Sequence, residues 1–199
     1  MELLVATWED IHVGSLKLAS MSLQDGYMPD VIVGVLRGGY IVARIVADAL
    51  GINDIGVVEV KFYKGIGEQA ERPVITQPLT TEIRGRKVLI VDDVVDSGRT
   101  LEVVSEQVRL RGAAEVRTAA LYYKPRSIIK PDYLVVETEK WILFPWELGE
   151  FVRELMPAKG LEMTKENIKE FLESLGVETS DEVIARLAES IKLCKTLRK

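Results

Sequence analysis

Short runs of β-branched and other apolar residues alternate with helical patterns over residues 8–138, and no other feature restricts the fold as much. The apolar runs predict five buried strands, at Asp30–Leu36, Ile55–Phe62, Lys87–Val91, Glu115–Tyr123 and Tyr133–Thr138. Strands that alternate with helices are joined by right-handed crossovers, which produce a mostly parallel sheet covered on both faces. The sequence therefore predicts an α/β fold.

Helical patterns precede and separate these strands. Apolar residues spaced by about 3.6 positions predict helices over Trp8–Gln24, Tyr40–Leu50 and Thr100–Arg111. Gly51 and Gly112 follow two of these helices and are typical C-cap residues. Ligands of such sheets bind beyond the carboxyl ends of the strands. We therefore expect one rim of the sheet to carry Leu36–Gly39, Asp92–Thr100 and Lys124–Pro125.

The segment from Lys64 to Arg84 does not continue the alternation. It contains two glycines, two prolines and many polar residues, which suit neither a helix nor a central strand. A loop of this length inside a compact domain is usually a lid over a site or a disordered segment.

The last part of the chain has a different character. Met163–Leu175 and Asp181–Leu197 are amphipathic and predict two helices, with Thr164 and Ser180 as N-cap residues. We divide the chain into a domain of residues 1–157 and a helical C-terminal extension of residues 158–199. The extension is interpreted as a dimerisation or capping element.

Composition excludes several classes of protein. The net charge of −5 argues against binding to nucleic acid. A single cysteine, Cys194, and a single histidine, His12, can form neither an intramolecular disulfide nor a Cys/His metal site. No stretch approaches the roughly 20 apolar residues that span a bilayer, and the N-terminus does not resemble a signal peptide. We expect a cytoplasmic protein without membrane contact.

The segment Val88–Leu101 contains the highest density of candidate ligand-binding residues in the sequence. Four apolar residues are followed by two adjacent carboxylates, Asp92 and Asp93. Charges beside a buried strand are costly unless they meet a ligand hydroxyl, a metal ion or a cation. The segment Asp96–Thr100, after two valines, includes small and hydroxyl-bearing residues at the beginning of a helix, where unpaired amides and the helix dipole favour a phosphate. The spacing of a Walker A loop is absent.

This segment resembles the phosphoribosyl-diphosphate-binding motif of the type I phosphoribosyltransferases. The resemblance implies their fold, a mostly parallel twisted sheet flanked by helices with a small hood. It also implies that Asp92 and Asp93 hold the ribose hydroxyls, directly or through Mg²⁺. Asp96 would act as general acid or base near N7 of a purine. The 5-phosphate would be held by Asp96, Ser97, Gly98, Arg99 and Thr100.

The loop Gly34–Gly39 is similar to the pyrophosphate-binding loop of the same family. That loop often contains a cis peptide before a residue other than proline, which would here join Leu36 to Arg37. The resemblance implies that Arg37 stabilises the departing pyrophosphate, while Leu36, Gly38 and Gly39 complete the donor site.

Two further segments resemble the purine enzymes of the family. Lys124 occupies the place of a lysine that donates a hydrogen bond to O6 of a 6-oxopurine. An ammonium suits this oxygen because it is a donor only. The run from Trp141 to Glu147 is similar to a segment of bacterial xanthine-guanine phosphoribosyltransferases. By that similarity Trp141 stacks on the base, the backbone around Ile142 reads its edge, and Glu147, in place of the family's aspartate, contacts Mg²⁺ or pyrophosphate.

The resemblance implies an enzyme of purine salvage that uses phosphoribosyl diphosphate, a 6-oxopurine base (guanine, hypoxanthine or xanthine) and Mg²⁺. Two alternatives stay open. One is adenine specificity. The other is a regulatory protein that responds to phosphoribosyl diphosphate or a purine, with the two last helices as a helix-turn-helix. Asp181, Glu182 and Glu189 disfavour the second alternative, since DNA phosphates would repel them. A homodimer or higher homo-oligomer is expected.

Overall fold

The computed structural model describes residues 2–63 and 72–197, which form two compact units. One unit comprises Glu9–Glu139, and the other comprises Met1–Trp8 with Lys140–Lys199. In chain order the elements are β1 (Leu3–Val5), α1 (Trp8–Gln24), β2 (Val31–Leu36), α2 (Gly39–Leu50), β3 (Ile55–Tyr63), β4 (Arg72–Gln77), β5 (Lys87–Val95), α3 (Arg99–Leu110), β6 (Glu115–Tyr123), β7 (Tyr133–Glu137), β8 (Trp141–Leu143), α4 (Leu148–Ala158), α5 (Lys165–Ser174) and α6 (Asp181–Leu197).

The first unit is built on a six-stranded sheet in the order β4-β3-β2-β5-β6-β7. All neighbours pair in parallel except β4, which runs antiparallel to β3. The strands β2, β5 and β6 occupy the centre, and Val33, Ile90 and Ala120 are buried in them. The predicted α/β fold with a mostly parallel sheet is confirmed, and each predicted strand is present.

The end of β5 differs from the prediction. The strand was expected to stop at Val91, yet it continues to Val95 because its pairing with β6 extends to Tyr123. Asp92 and Asp93 therefore lie inside the strand rather than in the loop that follows it. Periodicity could not detect this, since a carboxylate normally marks the end of a buried strand.

The helices of this unit match their predicted bounds to within one residue. Gly51 ends α2 in the left-handed conformation (φ 67°), and its N–H reaches the carbonyls of Ala47 and Asp48. Gly112, with φ 87°, follows α3 in the same conformation. Both predicted glycine stops are confirmed, because only glycine adopts this backbone without strain.

The predicted irregular segment Lys64–Arg84 contains one regular element. Arg72–Gln77 forms β4 at the edge of the sheet, where Pro73 opposes Phe62. Proline is tolerated in an edge strand because it need not donate a ladder hydrogen bond. The prediction was therefore wrong for these residues. Residues 64–71, the other part of the predicted lid, lie outside the described residues.

The second unit combines a two-stranded parallel sheet of β1 and β8 with three helices. Its core consists of buried apolar residues from β8, the three helices and the connection between α5 and α6: Leu143, Phe151, Val152, Met156, Ile168, Phe171, Leu172, Val177, Ile184 and Ile191. The two predicted tail helices are confirmed. Thr164 Oγ1 accepts a hydrogen bond from Asn167 N (3.2 Å), and Ser180 Oγ accepts one from Val183 N (3.3 Å), as expected of N-caps.

Helix α4 was not predicted, and it changes where the compact units divide. It shares the apolar core of α5 and α6, so residue 157, the predicted domain boundary, falls near its end and inside the second unit. The boundary stays a prediction about functional domains. In the part of the chain that the structure describes, no helix is long and apolar enough to cross a membrane.

Candidate active site at the carboxyl ends of the central strands

The carboxyl ends of β2, β5 and β6 lie at the same edge of the sheet because these strands are parallel neighbours. Val95 at the end of β5 pairs with Tyr123 at the end of β6. The next residue, Lys124, donates its backbone N–H to the Val95 carbonyl (2.9 Å). The predicted rim is thus confirmed for the segments that follow these three strands.

The loop between β5 and α3 has a backbone that only glycine can supply. Gly98 has φ 80°, and α3 begins at the next residue. A Cβ atom at Gly98 would collide with Ser127 Oγ and would lie 2.9 Å from Ile129 N. The first N–H groups of a helix lack intrahelical partners, so the loop presents amide donors and the positive end of the α3 dipole to an anion.

Asp92 and Asp93 form a coupled pair at the end of β5. The Asp92 side chain is buried, and Asp93 is partly buried. Burial raises the pKa of Asp92 well above its ordinary value, and repulsion from Asp93 adds to the increase. Burial also raises the pKa of Asp93, whereas a hydrogen bond from Asp92 opposes that increase. Ionising the pair is therefore costly, and a cation or ligand hydroxyl would relieve that cost.

The loop after β2 packs directly against this pair. A Cβ atom at Gly39 would lie 2.8 Å from both Cα and Oδ1 of Asp92. The peptide bond between Leu36 and Arg37 is cis, which confirms that expectation. The Arg37 side chain is exposed. The structure therefore brings the predicted pyrophosphate loop into contact with one of the two predicted ribose-binding carboxylates.

Lys124 and Arg126 follow β6 in a tight turn. Lys124 is buried, an uncommon position for a lysine. Arg126 reaches Asp96, with Nε 2.8 Å and Nη2 2.5 Å from Asp96 Oδ1. The sequence reasoning missed Arg126. The local signal in Lys-Pro-Arg-Ser predicts only a turn, because proline favours the second position of a turn.

A cavity of about 410 Å³ opens at this rim. Five predicted site residues line it: Asp92, Asp96, Ser97, Gly98 and Thr100. Its wall also contains residues that were not predicted: Phe62, Val94, Val95, Leu101 and Arg126. A buried carboxyl, a loop of small residues at a helix start and an aromatic side chain thus share one space. Such a space suits a ligand with a phosphate, hydroxyls and a flat apolar group.

The remaining predicted residues, Trp141, Ile142 and Glu147, belong to the second compact unit. Trp141 is exposed on β8, whereas Ile142 is buried and pairs with Leu4 of β1. Glu147 immediately precedes α4. Among the described residues, no group of three or more His, Cys, Asp or Glu side chains could hold a metal ion by itself.

Comparisons with known proteins agree on one family. Residues 7–150 match the family model of the phosphoribosyl transferase domain. The xanthine-guanine phosphoribosyltransferase of Cereibacter sphaeroides is 33% identical, over 72% of this chain and 86% of its own length. The corresponding Gluconobacter oxydans protein is also 33% identical, over 77% of this chain and 90% of its own length. A purine phosphoribosyltransferase from Pyrococcus horikoshii has a similar structure, with a TM-score of 0.67 and 44% identity, covering 73% of this chain and 94% of that one.

Proposed function

Because this chain belongs to the phosphoribosyltransferase family, we propose that it transfers the 5-phosphoribosyl group of phosphoribosyl diphosphate to a 6-oxopurine. The products are a nucleoside monophosphate and pyrophosphate, as in purine salvage. One observation supports the proposal most: Asp92, Asp96 and the loop before α3 line a single cavity. The relatives named for xanthine-guanine and purine transfer support the choice of base.

The 5-phosphate is assigned to the loop of Asp96, Ser97, Gly98, Arg99 and Thr100. The amides at the start of α3 would donate to the phosphate oxygens, and the helix dipole would favour their charge. Gly98 allows this loop to pack closely against Ser127 and Ile129, because a Cβ atom there would collide with Ser127 Oγ.

The ribose hydroxyls are assigned to Asp92 and Asp93, together with Mg²⁺. The donor set fits this ion, because Mg²⁺ in phosphate-transfer sites takes one or two carboxylates and completes its coordination with substrate oxygens and water. The raised pKa of Asp92 is consistent with a carboxyl that ionises when a cation binds. Bound Mg²⁺ would neutralise charge on the pyrophosphate group. Glu147 is proposed as a further contact to Mg²⁺ or pyrophosphate.

The leaving pyrophosphate is assigned to the loop of Leu36, Arg37, Gly38 and Gly39. Arg37 provides a permanent positive charge for the charge that develops as the bond to C1 breaks. Because Gly39 packs against Asp92, the pyrophosphate loop and the end of β5 would hold the two ends of the bond that breaks.

The base is assigned to Lys124, Trp141 and Ile142, and its proton to Asp96. Lys124 would donate to O6, a contact that favours an oxo group over an amine. Trp141 would stack on the ring, and its exposed side chain is available for such a contact. Asp96 would act as general acid or base at N7. Two alternatives are transfer to adenine and a regulatory protein that binds these ligands.

We also propose that the protein works as a homodimer or higher homo-oligomer in the cytoplasm, without nucleic acid or membrane partners. The net charge of −5 supports the absence of a nucleic acid partner. Exposed apolar side chains on α6, including Leu193 and Leu197, support contacts between copies.

The test is an assay with phosphoribosyl diphosphate, Mg²⁺ and a panel of guanine, hypoxanthine, xanthine and adenine. Monophosphate and pyrophosphate should form in equal amounts, with kcat/KM at least about 10-fold higher for a 6-oxopurine than for adenine. Equal use of adenine would contradict the base assignment. No monophosphate with any base would contradict the transferase and favour the regulatory alternative.

A further inference from the structure

Arg126 holds the carboxylate to which the proposed function assigns the base proton. Its Nε and Nη2 both lie on the same oxygen, Asp96 Oδ1, at 2.8 and 2.5 Å. Both hydrogen bonds from Arg126 end on Oδ1, so Oδ2 of Asp96 lies outside this contact. Both side chains line the cavity at the carboxyl ends of the strands. Arg126 thus holds one carboxylate oxygen of a side chain that lines the cavity.

Backbone hydrogen bonds around Arg126 fix the position of its Cα atom. Ser127 N donates to the Lys124 carbonyl (2.9 Å), which closes a turn with Pro125 and Arg126 at its centre. The turn is anchored at both ends. Lys124 N donates to the carbonyl of Val95 (2.9 Å), and Ile128 N donates to that of Ser97 (3.1 Å). These two carbonyls flank Asp96 in sequence, so backbone hydrogen bonds connect the turn to the residues on both sides of Asp96.

Side-chain packing also connects this turn to the loop that contains Asp96 and Gly98. Ser127 Oγ occupies the space where a Cβ atom of Gly98 would stand, and it donates a hydrogen bond to the Ile129 carbonyl (2.7 Å). The turn therefore cannot shift toward the loop without a collision. An arginine on a free surface samples many rotamers. Here the hydrogen bonds of the turn and the packing of Ser127 on Gly98 fix both the backbone of Arg126 and the backbone beside Asp96.

Stability alone does not explain this arrangement. The Arg126 and Asp96 side chains are 63% and 52% exposed, and exposed ion pairs contribute little to folding. What the pair does supply is orientation, because a guanidinium that donates two hydrogen bonds restricts the plane and direction of its carboxylate partner.

We propose that Arg126 is a positioning residue, which holds Asp96 by Oδ1 so that Oδ2 receives the proton on N7 of the base. In this step the C1–N9 bond forms and the bond from C1 to pyrophosphate breaks. The electron pair leaves on the pyrophosphate oxygen, and the N7 proton passes to Asp96 Oδ2. Arg126 acts through Asp96 and contacts no reacting atom. The inference rests on the proposed function, since it needs the acid or base role of Asp96.

The experiment is a double-mutant cycle of Arg126→Ala and Asp96→Asn, assayed with the base that the wild-type protein uses best. We expect Arg126→Ala to lower kcat by about 10- to 100-fold with KM for phosphoribosyl diphosphate changed by less than about threefold. In the Asp96→Asn background, Arg126→Ala should have no further effect, because residues that act as a unit are not additive. Arg126→Lys should restore part of the loss.

The matched control is Arg44→Ala, which removes another exposed arginine–aspartate pair, Arg44–Asp48 (3.3 Å), from the middle of α2. It should leave kcat and KM unchanged, and thermal unfolding should show that all variants fold. Unchanged kcat in Arg126→Ala would overturn the inference. So would a further loss in the double variant, because Arg126 would then act independently of Asp96. A raised donor KM with normal kcat would also overturn it, because Arg126 would then be a direct ligand of the donor. An inactive wild-type protein would contradict the proposed function, and this inference with it.

Discussion

Two carboxylate sites lie at the end of β5, and their surroundings differ. The first, Asp92 with Asp93, is within the strand, and burial raises the pKa of both carboxyls. The second, Asp96, is exposed, lies beyond the strand, and is paired with Arg126. Among the described residues, no cation lowers the pKa of either buried carboxyl, so ionisation of this pair would become favourable when a ligand brings a cation. The exposed site carries its own counter-ion and is oriented before any ligand arrives.

This difference matches the roles that we propose for the two sites. A pair that gains its charge when Mg²⁺ and ribose bind is suited to recognition of the donor. A carboxylate held in one direction in the free protein is suited to proton transfer, which depends on geometry within a few tenths of an ångström.

The largest expected effect comes from the exposed site. Asp96→Asn removes the proton acceptor while keeping the side-chain shape, so we expect kcat to fall by about 10²- to 10⁴-fold. Affinity for the donor should change little, because the backbone amides of the loop are unaltered. Steady-state kinetics with both substrates varied would measure this. Near-normal turnover would exclude the acid or base role.

A second change acts on the buried site alone. Gly39→Ala would place a Cβ atom 2.8 Å from Asp92 Cα, a contact with backbone that no rotamer can relieve. We expect a loss of about 1–3 kcal/mol in the free energy of unfolding and weaker binding of the donor. Chemical denaturation and donor titration would test this. Unaltered stability and binding would show that the pyrophosphate loop is not fixed against Asp92.

The pH dependence of stability separates the two sites further. The pKa of Asp92 is raised in the fold, so the wild-type protein loses stability as the pH rises from the ordinary value of 3.8 through the raised value. Asp92→Asn removes this penalty. We expect it to increase the free energy of unfolding by on the order of 1 kcal/mol at neutral pH, with no gain below pH 3.8. Denaturation across this range would measure it, and a gain independent of pH would contradict the assignment.

The smallest effect concerns the stability of the exposed pair. Arg126→Ala should change the free energy of unfolding by less than about 1 kcal/mol, and salt should reduce the difference, because exposed ion pairs are screened. Denaturation at two ionic strengths would test this. A larger loss that does not depend on salt would mean that Arg126 supports the fold, and a fall in kcat would then need another explanation.

Much of the sheet could be predicted because its signals are local. Runs such as Glu115–Tyr123 have an apolar pattern that defines a strand without reference to the rest of the chain. The glycine stop at Gly51 and the caps Thr164 and Ser180 also depend on a few neighbouring residues. Helix α4 was missed because its amphipathic pattern begins directly after the segment Trp141–Glu147, which the resemblance assigns to the base site.

The sequence by itself determined the order of the strands β2, β3, β5, β6 and β7 and of every helix except α4, the rim at which the loops gather and the family motif at Asp92–Thr100. Only the tertiary structure decided that β5 continues through both carboxylates, because pairing with β6 supplies hydrogen bonds that outweigh the cost of burying acids. It alone also revealed Arg126 beside Asp96. The two residues are 30 positions apart, and no local pattern encodes a contact that the pairing of β5 with β6 creates.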